Sequence, residues 1–334
     1  MVAGAEAAKS AAGCAAQSTA QAAIGSTAKA TASTAGSATR NTAKAVQSTA
    51  AVLADALSTA ADSANNLSPL NRPPATKALP KMASVAAEMD GLTVLPLPAR
   101  LSICIMVVGT HGDINPFLGL ADRLVALGHR VRVATHAQHR RLVLARSHDF
   151  YPLAGDARKL SQWMVQTGGT VLGEASPANL RSLPEKTQMT QDIIRSTWPA
   201  CTAPSPDDVE QRPFEADAIV ANPPVFGHIH VAEALGVPLH IMFPQPWYYG
   251  TRAYPHPCIG LPYNRPPNEA NFRSYAGFEG VAWSSMEQMM NGWRRKVLDV
   301  PVVHFGMGAS ALIPDAGVSF SAMWSPAFVP KPEE

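Results

Sequence analysis

From residue 101 onward the chain alternates short apolar runs, glycine and proline turns, and segments with apolar residues at helical spacing. Residues 101–108 (LSICIMVV) are almost entirely apolar and stop at Gly109-Thr110-His111-Gly112-Asp113. A continuous apolar run of this length reads as a strand covered on both faces, as parallel strands are. Pro116 suits the first turn of a helix, with Phe117, Leu120, Leu124 and Leu127 as its apolar face and Gly128 closing it. The succession repeats with a strand at Val131–Thr135, a basic helix over 137–146 and a short strand at Phe150–Leu153. Beyond these the spacing predicts helices over 157–166 and 184–198, then a strand from Asp217 to Ala221 that ends at Asn222-Pro223-Pro224. A helix from Gly227 to Leu235 follows, then a strand from Leu239 to Phe243, a helix over 269–298 interrupted at Gly277 and Gly280, and a last strand from Val318 to Met323. This order predicts an α/β fold, a parallel sheet with helices on both faces joined by right-handed crossovers. Ligands in such sheets bind at the C-terminal edge of the strands, where each predicted strand here meets a Gly or Pro loop.

The first 97 residues have no such pattern. Residues 1–70 contain 25 Ala and 17 Ser or Thr, and the first aromatic residue of the 334-residue chain is Phe117. A segment without large side chains cannot bury enough apolar area to offset chain entropy, so residues 1–97 are expected to be a low-complexity segment and linker. STA recurs at 18–20, 26–28, 33–35, 48–50 and 58–60 without a fixed period. Three readings stand side by side: a disordered tether, an organelle transit peptide that is Ser-rich and acid-poor, and an amphipathic helix lying on a lipid surface through Val46, Val52, Leu53, Leu57 and Leu67. The prolines at 69, 73, 74, 80, 96 and 98 mark the linker, and residues 98–334 are expected to be the packed domain.

Charge and cysteine usage narrow the function classes. A formal charge of +2 without a basic stripe argues against a nucleic-acid partner. Cys14, Cys104, Cys201 and Cys258 have no CxxC spacing and no His partners at metal-ligand intervals, so no metal site is expected and a reducing, cytoplasmic setting fits best. No apolar run reaches the roughly 18 residues of a membrane span, and the N-terminus lacks an apolar signal core, leaving peripheral contact as the expected form of any membrane association.

Three constellations could carry chemistry. The turn Gly109–Asp113 lies at a strand end and before a helix, where glycines admit a ligand to the backbone and helix N–H groups favour an anion. In it Asp113 and His111 are both capable bases, although Asp113 or Asn115 could simply cap the helix near Pro116. The turn is neither GxGxxG nor a GK[ST] phosphate loop. The second constellation is Asn222–His230, whose His228 and His230 point apart on a helix and make a poor metal pair; at least one is expected to be structural. The third is the loop of Trp247, Tyr248, Tyr249 and Tyr254 with four prolines between 244 and 257, either an apolar wall for a flat ligand or loop packing.

Taken together, these stretches resemble one family. LSICIMVVGTHGDINPFLGLADRLVALGHRVRVATHAQHRRLV with FYPLAGD at 150–156, ADAIVANPPVFGHIHVAEALGVP at 216–238, FPQPWYYGTRAYPHP at 243–257 and MWSPAFVPKP at 323–332 are similar to the N-terminal domain of family 28 glycosyltransferases, and within it to the sterol 3-beta-glucosyltransferase group. The resemblance implies a Rossmann-like N-terminal half of a GT-B fold that holds the acceptor, facing a C-terminal half that holds the UDP-sugar. It implies an inverting transfer of a hexose, with UDP-glucose as co-substrate and no metal, to the hydroxyl of a sterol or other lipid. The family turn reads G-[ST]-R-G-D, so Asp113 stands at the base and His111 at the place of the Arg, where a neutral imidazole is a second proton acceptor. Gly109, Thr110 and Gly112 would face the donor diphosphate, and His228, Trp247, Tyr248 and Tyr249 would border the acceptor pocket. The family's Gly/His-rich donor motif has no match in these 334 residues, so the donor half is expected in a separate domain or chain. The alternative is a lipid- or sterol-binding module that keeps the fold without the chemistry.

Overall fold

The computed structural model describes residues 100–247, 250–263, 266–303, 318–327 and 329–332. The low-complexity segment and the two tyrosines Tyr248 and Tyr249 lie outside the described residues.

The apolar runs become strands β1 (Ser102–Val107), β2 (Arg130–His136), β3 (Asp149–Leu153), β4 (Ala218–Ala221), β5 (Leu239–Phe243) and β6 (Ser319–Ala322). They form one sheet in the order β3-β2-β1-β4-β5-β6, and every pairing is parallel. Between them run α1 (His111–Ala126), α2 (Arg140–Leu144), α3 (Ala157–Thr167), α4 (Val171–Glu174), α5 (Leu183–Thr202), α6 (His228–Leu235) and α7 (Glu269–Trp293). Side chains alternate faces along a strand, so β1 serves two cores. Ile103, Ile105 and Val107 pack with Ile114, Phe117, Leu118 and Ala121 of α1 and Val143 of α2 on one face. Cys104, Met106 and Val108 pack on the other face, where α5, α6 and α7 contribute Ile194, Ile229 and Trp283. Both faces are covered, which is why β1 reads as an unbroken apolar run.

Two expectations about helices are corrected. α1 begins at His111, with Thr110 as its N-cap, and not near Pro116 with Asp113 or Asn115 as cap. The earlier start brings Ile114 into the helix, and Ile114, Phe117, Leu118 and Ala121 then fall on one face at i, i+3, i+4 and i+7, while Leu127 ends 64% exposed. Pro116 lacks the N–H that would bond Gly112, and Gly112 is exposed to water, so the helix tolerates the loss. α7 likewise runs through Gly277 and Gly280 without a break. Each glycine lowers helix propensity by about 1 kcal/mol, and burial of Tyr275, Phe278, Trp283 and Met290 outweighs it.

Two buried arginines organise the second face. Arg132, fully buried on β2, bonds Asp149 at 2.9 Å and donates to the carbonyls of Ala200 and Ala203 at the C-terminal end of α5, where a cation complements the helix dipole. Its guanidinium also lies 3.9 Å from the centre of the Phe214 ring.

β1 is the switch point of the sheet: β2 lies on one side of it and β4 on the other. The β1·β4 pairing register ends at Met106 with Ala221, and the side chain of Asn222 continues it. Asn222 Nδ2 donates to the Val108 carbonyl at 2.8 Å, and the Val108 N–H donates to Asn222 Oδ1 at 3.0 Å. Both residues are buried, so Asn222→Ala leaves two backbone groups without partners. The expected cost is about 2–4 kcal/mol in the unfolding free energy, read by urea denaturation.

Candidate functional site at the switch point

Directly beyond the Asn222 clamp the chain turns through Gly109, whose φ of +141° only glycine adopts readily. A Cβ on Gly109 would stand 2.2 Å from Asp113 Oδ2, so the carboxylate occupies the space that the missing side chain leaves. Thr110 caps α1 and Asp113 is its third residue, the two closing a capping box. Asp113 Oδ2 accepts the Thr110 N–H at 2.7 Å and the Thr110 hydroxyl at 3.1 Å. Both bonds fall on one oxygen. Oδ1 takes neither, and the residue is half-buried at the open edge of the sheet. Gly109, Thr110, His111, Gly112 and Asp113 thus form one turn, with His111 exposed beside it.

Two histidines that the sequence reading passed over complete this site. His136 ends β2 and His139 follows in the 3-10 turn Ala137–His139. His139 is 2% exposed; its Nε2 lies 3.0 Å from the Gly109 carbonyl, and its ring stands edge-on to His111 with centroids 4.9 Å apart. His136 Nδ1 lies 2.9 Å from the Ala154 carbonyl. Its pKa is held below the ordinary imidazole value, first by burial and then, more weakly, by His139, with the Ala154 bond opposing. The signal was the pair of histidines three apart at the end of a predicted strand, read only as part of a basic helix. Among the described residues no group of three or more His, Cys, Asp or Glu is arranged to hold a metal ion.

The second and third constellations lie deeper. His228 and His230 open α6 and are both fully buried. His230 Nδ1 accepts from Arg294 Nη1 at 2.6 Å, and the same nitrogen of Arg294 bonds Glu233 at 2.7 Å. His230 is therefore the structural histidine, tying α6 to the turn after α7. His228 makes no such tie, and burial pushes its pKa down to about 4. Trp247 is 7% exposed and surrounded by Phe226, Phe243, His256 and Phe278, with centroid separations of 4.9–6.3 Å. His256 stacks on Phe278 at 4.0 Å, and burial lowers its pKa to about 3. The loop aromatic is thus part of an interior cluster, its ring faces occupied by neighbours.

A cavity of about 700 Å³ opens at the opposite edge, beside the strand starts Ser102, Arg130 and Asp149. Its carboxylates are matched by arginines, Asp207 by Arg140, Asp208 by Arg212 and Asp149 by Arg132, and its histidine, His148, is bound through Nε2 to Asp122.

A parallel sheet of this strand order, with a glycine turn and a half-open carboxylate at its switch point, defines a Rossmann-like domain built to present a ligand to that edge. Residues 103–255 match the glycosyltransferase family 28 N-terminal domain. The chain is 40% identical over 238 residues to sterol 3-beta-glucosyltransferase UGT80B1 of Arabidopsis thaliana, covering 70% of this chain and 36% of that relative. It is 38% identical over 248 residues to UGT80A2 of the same plant, covering 74% of this chain and 36% of the relative. The chain thus spans just over a third of the length of these relatives. Among solved structures, the glycotransferase of kitacinnamycin is similar at 16% identity with a TM-score of 0.39, covering 67% of this chain and 51% of that one.

The buried histidines make stability depend on acid. His228 has a folded pKa of about 4 against an ordinary 6.5, so the folded chain holds fewer protons than the unfolded chain between these values. Its contribution is complete above about pH 6.5 and is lost as the pH falls toward 4. The expected loss across that window is about 3 kcal/mol. His228→Leu should flatten the corresponding part of the curve of unfolding free energy against pH, leaving the shares due to His256, His230, His136 and His240, whose pKa values burial also lowers.

Proposed function

We propose that the described domain is the acceptor-binding half of an inverting, UDP-sugar-dependent glycosyltransferase that transfers a hexose, glucose by likeness to its relatives, to the hydroxyl of a sterol or other lipid. The observation that carries this reading is the division of labour on Asp113: Thr110 holds Oδ2 with two hydrogen bonds, and Oδ1 takes neither. A carboxylate anchored through one oxygen presents the other in a fixed direction, which is what a general base requires. In the proposed step Asp113 Oδ1 takes the proton of the acceptor hydroxyl. The acceptor oxygen bonds to the anomeric carbon from the side opposite UDP, the bond to UDP breaks, and the configuration inverts. The amides of the turn and the N-terminus of α1 favour negative charge, which suits the donor diphosphate as it leaves. His111 borders the same turn and is the second candidate acceptor. The acceptor is proposed to enter along the side of the β4 and β5 loops, where Tyr248 and Tyr249 are the candidate contacts and the buried His228 and Trp247 would back the wall without touching the ligand. The donor half is supplied by a further domain or chain, since the match covers only about a third of the relatives' length.

The test joins this chain to the C-terminal remainder of the Arabidopsis thaliana relative and follows glucose transfer from UDP-glucose to sitosterol. Asp113→Asn is expected to lower kcat by about 10²–10⁴ while His111→Ala retains most of the activity. A fall confined to the His111 variant would move the base to that residue. Sterol binding without transfer in every combination would instead mark a lipid-binding module.

A further inference from the structure

We propose that His139 is a positioning residue for Asp113, acting through the peptide plane between Gly109 and Thr110. The C=O of Gly109 and the N–H of Thr110 belong to one planar unit and point in opposite directions. His139 Nε2 meets the carbonyl at 3.0 Å, and Asp113 Oδ2 meets the N–H at 2.7 Å. One side chain therefore holds each end of the plane. Rotating that plane by half a turn would break both bonds together and release the carboxylate from its anchor. The plane needs such holding because it starts at a glycine, whose φ of +141° is one of several conformations open to that residue.

The ring is built for this task. A carbonyl only accepts, so the nitrogen that meets it, Nε2, carries a proton, while Nδ1 is buried without a partner. Leaving a ring nitrogen buried and unbonded is unfavourable, and the bond to Gly109 is the polar contact the ring retains. The ring is fixed by burial at 2% exposure and by the edge of His111 at 4.9 Å, with His136 at 6.4 Å. At 2% exposure His139 is shut off from a bound sugar or lipid. Its role runs through the backbone, and it bears on transfer only where Asp113 is the base, so this inference rests on that reading for its consequence.

The experiment separates the two. Hydrogen exchange at the Thr110 amide is measured by NMR in the full chain carrying His139→Phe, which keeps a ring without a donor, and His139→Gln, whose amide reaches about as far as Nε2. Loss of the bond should speed exchange at Thr110 about tenfold in the Phe variant and leave the Gln variant close to the parent. Unchanged exchange in His139→Phe, or equal acceleration in both variants, overturns the proposal. His139→Asn, too short to reach the carbonyl, replaces the Phe variant if that chain does not fold. In the joined enzyme His139→Phe should lower kcat with little change in the acceptor KM, and His139→Gln should restore it. A raised KM at unchanged kcat would count against positioning. Retained transfer in Asp113→Asn would overturn the choice of base and leave the exchange result standing.

Discussion

The candidate site depends on where β1 stops. A parallel strand at a switch point loses its neighbours at its C-terminal end, and the first unpaired residue would otherwise leave a buried N–H and C=O without partners. Here that residue is Val108, and the Asn222 amide satisfies both groups, acting as one more residue of β4 turned sideways. With Val108 fixed, the chain has one residue in which to leave the sheet before α1 must begin. Gly109 makes that turn because its φ is positive and because the Asp113 carboxylate fills the space beside it. Sheet register, turn conformation and carboxylate position are therefore successive consequences of one side chain on a neighbouring strand.

The opposite core is held by charges whose burial needs explanation. Arg132 and Arg294 are both almost fully buried, and desolvating a guanidinium is unfavourable unless each is hydrogen-bonded and paired. Each has a carboxylate, Asp149 or Glu233, and additional acceptors in backbone carbonyls or in His230. Both sit near helix ends: Arg132 beneath the C-terminal end of α5, Arg294 at the end of α7. Arg132 fixes α5 against the sheet, and Arg294 fixes α6 against the segment that follows α7, where apolar contact alone permits sliding. His230 is drawn into this role, whereas His228, two residues earlier, faces the interior without an ionic partner.

The central strands β1 and β4 were legible in the sequence because both sheet faces are covered there, which turns them into nearly unbroken apolar runs, and the parallel order followed from the helices between the strands. The glycine turn was legible for the same reason, as the first polar stretch after β1. The start of α1 and the continuity of α7 were not, because Pro116 and Gly277 are strong local signals whose cost is small beside a capping box or a buried aromatic face. What remained hidden were contacts between residues far apart in the chain. Asn222 reaches back 114 residues to Val108, His139 reaches 30 to Gly109, and Arg294 reaches 64 to His230. Nothing local to His139 distinguishes it from the other bases of residues 137–146, since its partner is a carbonyl on another strand's turn. Trp247 was legible as an aromatic and not as a buried one, because its neighbours Phe226 and Phe278 come from the loop after β4 and from α7.

Asp113 was read as the cap of a helix near Pro116 or as a base; the N-cap is Thr110, and Asp113 closes its capping box from the third helical position, a role that leaves one carboxylate oxygen for chemistry. The cap uses Oδ2, and the base would use Oδ1. The two roles also differ in scale. A capping interaction is worth about 1 kcal/mol, roughly fivefold in an equilibrium, whereas general-base catalysis contributes about 10²–10⁴ in rate. Asparagine keeps an oxygen for Thr110 and cannot take a proton at neutral pH. A large loss of rate at unchanged stability therefore belongs to the chemistry, and a small loss of both belongs to the cap. The same anchoring explains why this turn needs its glycine: any side chain at residue 109 would displace the oxygen that Thr110 holds.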